Sequence, residues 1–334
     1  MKENYTISTQ IIINQAKERG IKVLDLCPGK VVKLTYGDHE EHLCCQFISK
    51  TTSVAYEIAN NKNLTKQILK EVGISIAEGE KFTKTQFDEA LTFAKRIGFP
   101  VVIKPTNSSH GNCVFANIAD EKDFIKHWQK VSIKFNNILV ERYFTGGTEY
   151  RVVASRDKVL GITNRVPANV VGDGIRTIKE LVDIKNSDPR RGDDSYKDFK
   201  KCLVKIDIDD IIVETLKKSD RDIHYKPKAG EQIFLRENSN LSTGGDSIDF
   251  TDKVHPSVHK IAIEVVRAIP GLAYGGMDFL SKDITVQQTP DNHIIVEINS
   301  SPGIFMHHFP YEGKPRNVAG DILDIAFPET KKEA

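Results

Sequence analysis

Glu297-Ile298-Asn299-Ser300-Ser301-Pro302-Gly303, preceded by Met277-Asp278-Phe279, is the stretch on which the reading of this chain turns. Both segments end apolar runs. In His293-Ile294-Ile295-Val296-Glu297-Ile298-Asn299, a strand's period of two puts Glu297 and Asn299 on one face and Ile298 on the other. Asp278 joins them if its own segment pairs with this strand. Three hard oxygen ligands on one sheet face suit Mg2+, which keeps waters and takes further ligands from phosphates. Taken alone, the same residues also describe a capped strand end with solvated acids.

The rest of the chain separates these readings. Lys104 ends the apolar run Phe99-Pro100-Val101-Val102-Ile103 and precedes Pro105 and a small polar loop, Asn107-Ser108-Ser109-His110-Gly111-Asn112. A lysine at a strand end suits phosphate, and such a loop can fold over it and donate backbone N–H groups. Ile138-Leu139-Val140-Glu141-Arg142-Tyr143 reads as a further strand, followed by a turn and another strand in Gly146-Gly147-Thr148-Glu149-Tyr150-Arg151-Val152-Val153. A strand lysine, a loop, a second acidic strand and a late Asp…Glu-x-Asn together describe an ATP–magnesium site. The sequence contains no Walker-type Gly-x-x-x-x-Gly-Lys-Ser/Thr, and Gly271 to Gly276 does not make a Gly-x-Gly-x-x-Gly. The P-loop and Rossmann routes to a nucleotide are therefore unsupported.

The motifs recur in order over nearly the whole chain: Ser8-Thr9-Gln10, Asn61-Lys62-Asn63-Leu64-Thr65-Lys66, Val101-Val102-Ile103-Lys104-Pro105 and Gly147-Thr148-Glu149-Tyr150-Arg151. Val170-Val171-Gly172-Asp173-Gly174, Asp188-Pro189-Arg190-Arg191-Gly192, Asn240-Leu241-Ser242-Thr243-Gly244-Gly245 and the Glu297 segment continue the series. In these segments the chain resembles the ATP-grasp carboxylate–amine ligases. It is most similar to the ATP-grasp module of cyanophycin synthetase and to the glutathione-synthetase half of the bifunctional glutamate–cysteine ligase/glutathione synthetase.

The resemblance implies an α/β fold of α+β lobes, with ATP in a cleft between two of them. It implies an N-terminal α/β lobe over 1–60, a central lobe over 61–145, and a C-terminal lobe over 146–334 with the metal site and a helical insertion. Lys62 and Lys104 match the phosphate-contacting lysines, and His110 and Gly111 match the phosphate loop. Glu141 and Tyr143 fall at the adenine hinge, and Glu149 matches the ribose ligand. Asp278, Glu297 and Asn299 match the ligands of two magnesium ions, with manganese as a substitute. The reaction implied is attack of a carboxylate on the γ-phosphate, then attack of an amine on the acyl phosphate. Arg236 is the candidate to stabilise the tetrahedral oxygen, and Arg165 to hold a phosphate, because the guanidinium fork suits both. Asn238, Ser242, Thr243, Gly244 and Gly245 form the expected substrate loop. His307 and Glu312, in the segment that also carries His308 and Arg316, match the substrate side. Two adjacent histidines on an extended segment point opposite ways, so at most one faces the cleft, and a zinc site is not expected.

The likeness has gaps. Cyanophycin synthetase has a His-Gly-Arg-Gly-Val loop where this chain reads His110-Gly111-Asn112-Cys113-Val114, and tends to carry arginine where Phe305 stands. Neither the second, Mur-ligase-like domain of that enzyme nor the ligase half of the glutathione enzyme is seen. The expectation is one peptide or isopeptide bond between small amino-acid or dipeptide substrates. Glutathione synthesis from a γ-glutamyl dipeptide and glycine, and a non-catalytic ATP-binding partner protein, are the alternatives.

Composition sets the bounds. The chain has 334 residues, 39% hydrophobic and 28% charged, with a net charge of +1. That balance gives no reason to expect nucleic acid or a membrane surface, and no apolar run approaches the roughly 20 residues of a spanning helix. The polar start, Met1-Lys2-Glu3-Asn4-Tyr5-Thr6, lacks a signal-peptide core, so cytoplasm is expected. A homodimer is left open. The 5 cysteines make no Cys-x-x-Cys pair and read mainly as buried thiols.

Overall fold

A computed structural model describes residues 5–106, 113–193 and 201–331. Thr6 accepts from the Thr9 amide and opens α1 (Ile7–Glu18), whose Ile7, Ile11 and Ile12 are buried. An antiparallel meander follows in sequence order: β1 (Lys22–Cys27), β2 (Val31–Tyr36), β3 (His39–Cys44) and β4 (Phe47–Ile48). The run His42–Ile48, which reads as one strand in sequence, is two. Cys45 takes φ 55°, and the chain doubles back so that Cys44 pairs with Phe47 and Leu43 with Ile48.

The expectation of buried thiols holds for Cys202 alone. Cys27 is exposed, and Cys44, Cys45 and Cys113 are partly buried. Cys27 ends β1, whose only partner in the meander is β2. At the next junction Asn61 closes α2 (Ser53–Asn60) and caps α3 (Lys62–Glu71) by accepting from the Leu64 amide.

The central lobe contains β5 (Gly79–Thr83), α4 (Phe87–Ile97), β6 (Val101–Pro105), β7 (Phe115–Ile118), α5 (Glu121–Lys134) and β8 (Asn137–Arg142). Its antiparallel sheet runs β5-β8-β6-β7. Phe82, Phe93, Ile103, Phe124, Trp128 and Val140 fill the core between the sheet and its two helices.

The larger lobe starts with β9 (Thr148–Ser155) and β10 (Val159–Val166). The insertion follows, with β11 (Asn169–Val171), α6 (Ile178–Asn186), β12 (Arg191–Gly192), β13 (Leu203–Val204), α7 (Asp210–Lys217) and β14 (Gln232–Phe234). It has its own core of Val170, Ile178, Ile212, Leu216 and Leu235, and Thr177 and Glu180 close a capping box at the start of α6. A 3-10 turn at Leu241–Thr243 leads to β15 (Asp246–Asp249), α8 (Pro256–Ala268), β16 (Tyr274–Ser281), β17 (His293–Asn299), α9 (Phe305–His308) and α10 (Val318–Ala326).

The main sheet is antiparallel, in the order β15-β10-β9-β16-β17. Strand alternation divides its residues between two faces. Tyr150, Val152, Ile162, Met277, Phe279 and Ile298 share a core with Val258, Ala262 and Val265 of α8. Val153 and Leu160 look the other way, toward α1 and α10. Arg151, Arg165, Asp278, Glu297 and Asn299 also belong to this second face, beyond the cover of α1 and α10.

Candidate active site

The register pairs Asp278 of β16 directly with Glu297 of β17, and a bulge follows between Asp278 and Phe279. Cross-strand partners share a face, and Asn299, two residues on, donates weakly to Glu297 at 3.4 Å. The three oxygen-bearing side chains are thus gathered on the sheet face opposite α8. Lys62 lies 2.9 Å from Glu297. Arg151 Nε donates to Asp278 at 2.7 Å, and Arg165 Nη2 lies 3.0 Å from its other oxygen. Burial works to raise the Asp278 carboxyl, but the two guanidiniums outweigh it and hold the group below the usual carboxylate range.

Among the described residues no three His, Cys, Asp or Glu side chains form a ready-made metal cage. Two carboxylates and an amide make a partial oxygen shell. That donor set fits Mg2+, which leaves the remaining positions to phosphate and water.

The facing wall comes from the central lobe. Lys104 of β6 and Glu141 of β8 are both buried, and Lys104 Nζ lies 2.5 Å from Glu141 Oε2. The other Glu141 oxygen is taken by Lys66 of α3. Gly79 stands opposite Glu141 on β5, and a Cβ there would sit 2.6 Å from Glu141 Cγ, so only glycine leaves room for this carboxylate. Burial, then the nearby Lys62, push the Lys104 amine down to about 8 against the opposing pull of Glu297 and Asp278.

The Glu141 side chain is therefore turned inward to two lysines, while Tyr143 just beyond it lines the cleft. Lys66 was not singled out in sequence. Its signal was the spacing to Lys62, one helical turn away on the same face.

Glu149 ties three elements together. It pairs with Arg165, and Ser239 Oγ donates to it at 2.5 Å. Arg236, just past β14, donates to Asp209 at 2.8 Å. Both Arg165 Nε and Arg236 Nε are buried without a hydrogen-bond partner among the described residues. Asn238 is exposed, and its side chain accepts from the Asn240 amide at 3.4 Å.

In the glycine-rich loop, Ser242 faces the cleft and Thr243 turns back to the Asn240 carbonyl at 2.9 Å. Gly244 has φ 92°, and a Cβ on it would lie 2.6 Å from Ile206 Cγ1. A Cβ on Gly245 would lie 2.8 Å from the Val166 carbonyl oxygen. The glycines wedge the loop between the insertion and β10.

The histidine pair differs from its expectation. His307 and His308 sit on the short helix α9, not on an extended segment. His307 is buried, its Nδ1 2.9 Å from Thr163 Oγ1. Burial, then Arg151, push its imidazole down to about 3. His308 Nε2 accepts from the Ala319 amide at 3.0 Å. Arg316 is bound to Asp249 and Asp252 at 2.6 and 2.8 Å.

Lys62, Lys104, Tyr143, Glu149, Arg165, Arg236, Asn238, Ser242, Asp278, Glu297, Asn299 and Glu312 line one cleft of about 3050 Å3. Glu141, Thr243, Gly244, Gly245 and His307 are not among its lining residues, and His110 and Gly111 lie outside the described residues. A pocket for one small ligand holds roughly 300–1,000 Å3, so this cleft has room for several such ligands.

Residues 61–198 match the family described as carbamoyl-phosphate synthase L chain, ATP binding domain. The crystal structure of a bifunctional glutathione synthetase from Pasteurella multocida superposes with a TM-score of 0.77 at 32% identity, covering 98% of this chain and 45% of that one. This is an ATP-grasp protein.

Among curated relatives, the ATP-grasp chain is 34% identical to cyanophycin synthetase of Trichormus variabilis over 322 residues, 96% of its own length and 35% of the relative's. It is 38% identical to the glutathione biosynthesis bifunctional protein GshAB of Clostridium perfringens over 331 residues, 97% of its own length and 41% of the relative's. The chain thus spans between a third and a half of the length of these relatives. The likeness read from the motifs is borne out on both sides. ATP-grasp proteins use ATP with a divalent metal. Among the described residues no helix is long and apolar enough to cross a membrane.

Proposed function

We propose that this chain is an ATP-dependent carboxylate–amine ligase that makes a peptide or isopeptide bond and releases ADP and phosphate. The observation that carries the reading is one cleft with two opposed walls. One presents Asp278, Glu297 and Asn299, and the other presents Lys104 over a buried ion cluster.

In this reading Lys62 and Lys104 bind the phosphates, and His110 and Gly111 are further phosphate ligands. The peptide groups around Glu141 and Tyr143 meet the adenine, and Glu149 meets the ribose. Asp278, Glu297 and Asn299 hold Mg2+, which when bound neutralises phosphate charge and polarises the γ-phosphoryl group. The substrate carboxylate attacks the γ-phosphorus, the bond to the β–γ bridging oxygen breaks, and ADP leaves. The amine nitrogen then adds to the acyl phosphate carbonyl. The tetrahedral oxygen collapses, the carbon–oxygen bond to phosphate breaks, and the nitrogen gives up its proton. Arg236, whose Nε has no hydrogen-bond partner among the described residues, supplies charge where that oxygen develops, and Arg165 holds the transferring phosphate. Asn238, the Ser242–Gly245 loop, His307 and Glu312 shape the substrate side, with lobe boundaries at 60 and 145.

The substrates are small amino acids or dipeptides. A glutathione-type pair, a γ-glutamyl dipeptide and glycine, is the second reading. The 38% identity to GshAB of Clostridium perfringens favours it. Phosphate release should be measured with Mg-ATP across amino acids and dipeptides, with products identified by mass. Release coupled to an amide product is the expected result. ADP without an amide, or no turnover with any pair, contradicts the ligase.

A further inference from the structure

Lys66, Glu141 and Lys104 form an ion cluster behind the cleft wall. Glu141 and Lys104 are buried, and the Lys66 side chain is 9% exposed. One carboxylate is shared by two ammonium groups, one oxygen each. Lys62 and Glu297 make a further pair beside them. Lys62, Lys66 and Lys104 against Glu141 and Glu297 leave one positive charge uncompensated. Asp278 does not supply the balance, because Arg151 and Arg165 already hold it. Burial and the neighbouring Lys104 and Lys62 lower the Lys66 amine well below its ordinary value. A net buried cation is costly unless an anion completes it, and the phosphate tail of a nucleotide is such an anion.

We infer that Lys66 is a positioning residue of the nucleotide site. Its ammonium occupies one oxygen of Glu141, so that the carboxylate orients Lys104 without capturing it, and the Lys104 amine keeps donors for phosphate. The inference rests on the nucleotide site of the ligase reading. Lys66 touches no nucleotide in this scheme, since it is not among the residues lining the main cleft. Without it, Glu141 and Lys104 become a closed neutral pair. The local positive charge falls by one and phosphate must compete with a full carboxylate.

Calorimetric titration with magnesium and a non-hydrolysable ATP analogue tests this without requiring turnover. Lys66→Met leaves Glu141 still paired with Lys104, so the fold should survive with an unchanged or raised melting temperature. The dissociation constant should rise about tenfold, as for a weakened charge-assisted contact. Lys66→Arg keeps the charge and should stay within about threefold of the parent protein. In a Glu141→Gln background the effect of Lys66→Met should disappear, because Lys66 acts through that carboxylate.

An unchanged constant in Lys66→Met overturns the inference. So does an equal loss in both backgrounds, which would mean direct contact with the nucleotide, or a loss equally large in Lys66→Arg. If Lys66→Met does not fold, Lys66→Gln reads the same quantities. A parent protein that binds no Mg-nucleotide contradicts the ATP site itself and removes the inference with it. Binding without any amide product leaves the inference standing while the ligase reading falls.

Discussion

The metal face depends on single atoms. Glu297→Gln keeps shape and removes one negative charge, so the fold should persist while ligation falls by about two orders of magnitude or more, the scale for losing one charge-stabilising group. Steady-state rates beside a melting curve check this, and near-normal turnover would remove Glu297 from the metal site. Arg236→Lys keeps charge but loses the guanidinium fork. It should lower kcat and kcat/KM by a similar factor with KM for ATP nearly unchanged. A rise in KM for ATP alone would make Arg236 a ground-state phosphate ligand.

His307 gives a pH signature. Its imidazole titrates near 3 in the folded protein and near 6.5 when unfolded. Between those values the unfolded chain binds the extra proton, so stability should be intact above about 6.5 and fall as pH drops toward 3. His307→Gln should flatten that slope in urea titrations at pH 7.5 and 5. An equal slope in both proteins would contradict it.

The Glu297–Asn299 face was legible because alternation in a strand is local. The Lys66 contact was not, since it exists only once α3 packs beside β8.

At the scale of elements, a positive φ marks where a substitution should tell most. Gly244 has φ 92° and Ile206 within 2.6 Å of any added Cβ. Gly244→Ala should cost on the order of 1–3 kcal/mol from strain and overpacking, measured by chemical denaturation, and should displace Ser242. A loss under about 0.5 kcal/mol, the usual range of surface changes, would mean the loop is free to move.

The strands flanking the site lie where alternation places them, α6 starts at a capping box, and α8 starts at Pro256. The helix α2 went unread because Val54 and Tyr56, 59% and 44% exposed, blur its apolar stripe. The helix α5 buries Phe124, Trp128 and Val131 amid lysines that hide the pattern. Cys45 broke an apparently continuous strand because nothing in its side chain signals φ 55°. The histidine segment became helical through tertiary packing, with His307 bonded to Thr163, 144 residues away in sequence.

For the whole molecule, the cleft is walled by the central lobe, the main sheet and the insertion, so its ligands bridge parts distant in the chain. Mg-nucleotide should therefore raise the melting temperature in proportion to its binding free energy. The central claim, transfer of the γ-phosphoryl group to a carboxylate, is tested most directly with an oxygen-18-labelled carboxylate substrate. Mass analysis of the phosphate released during amide formation should find one labelled oxygen per phosphate, carried over when the acyl carbon–oxygen bond breaks. Phosphate free of label, with ADP formed at the same rate, would show that water and not the carboxylate takes the phosphoryl group, and would contradict the ligase.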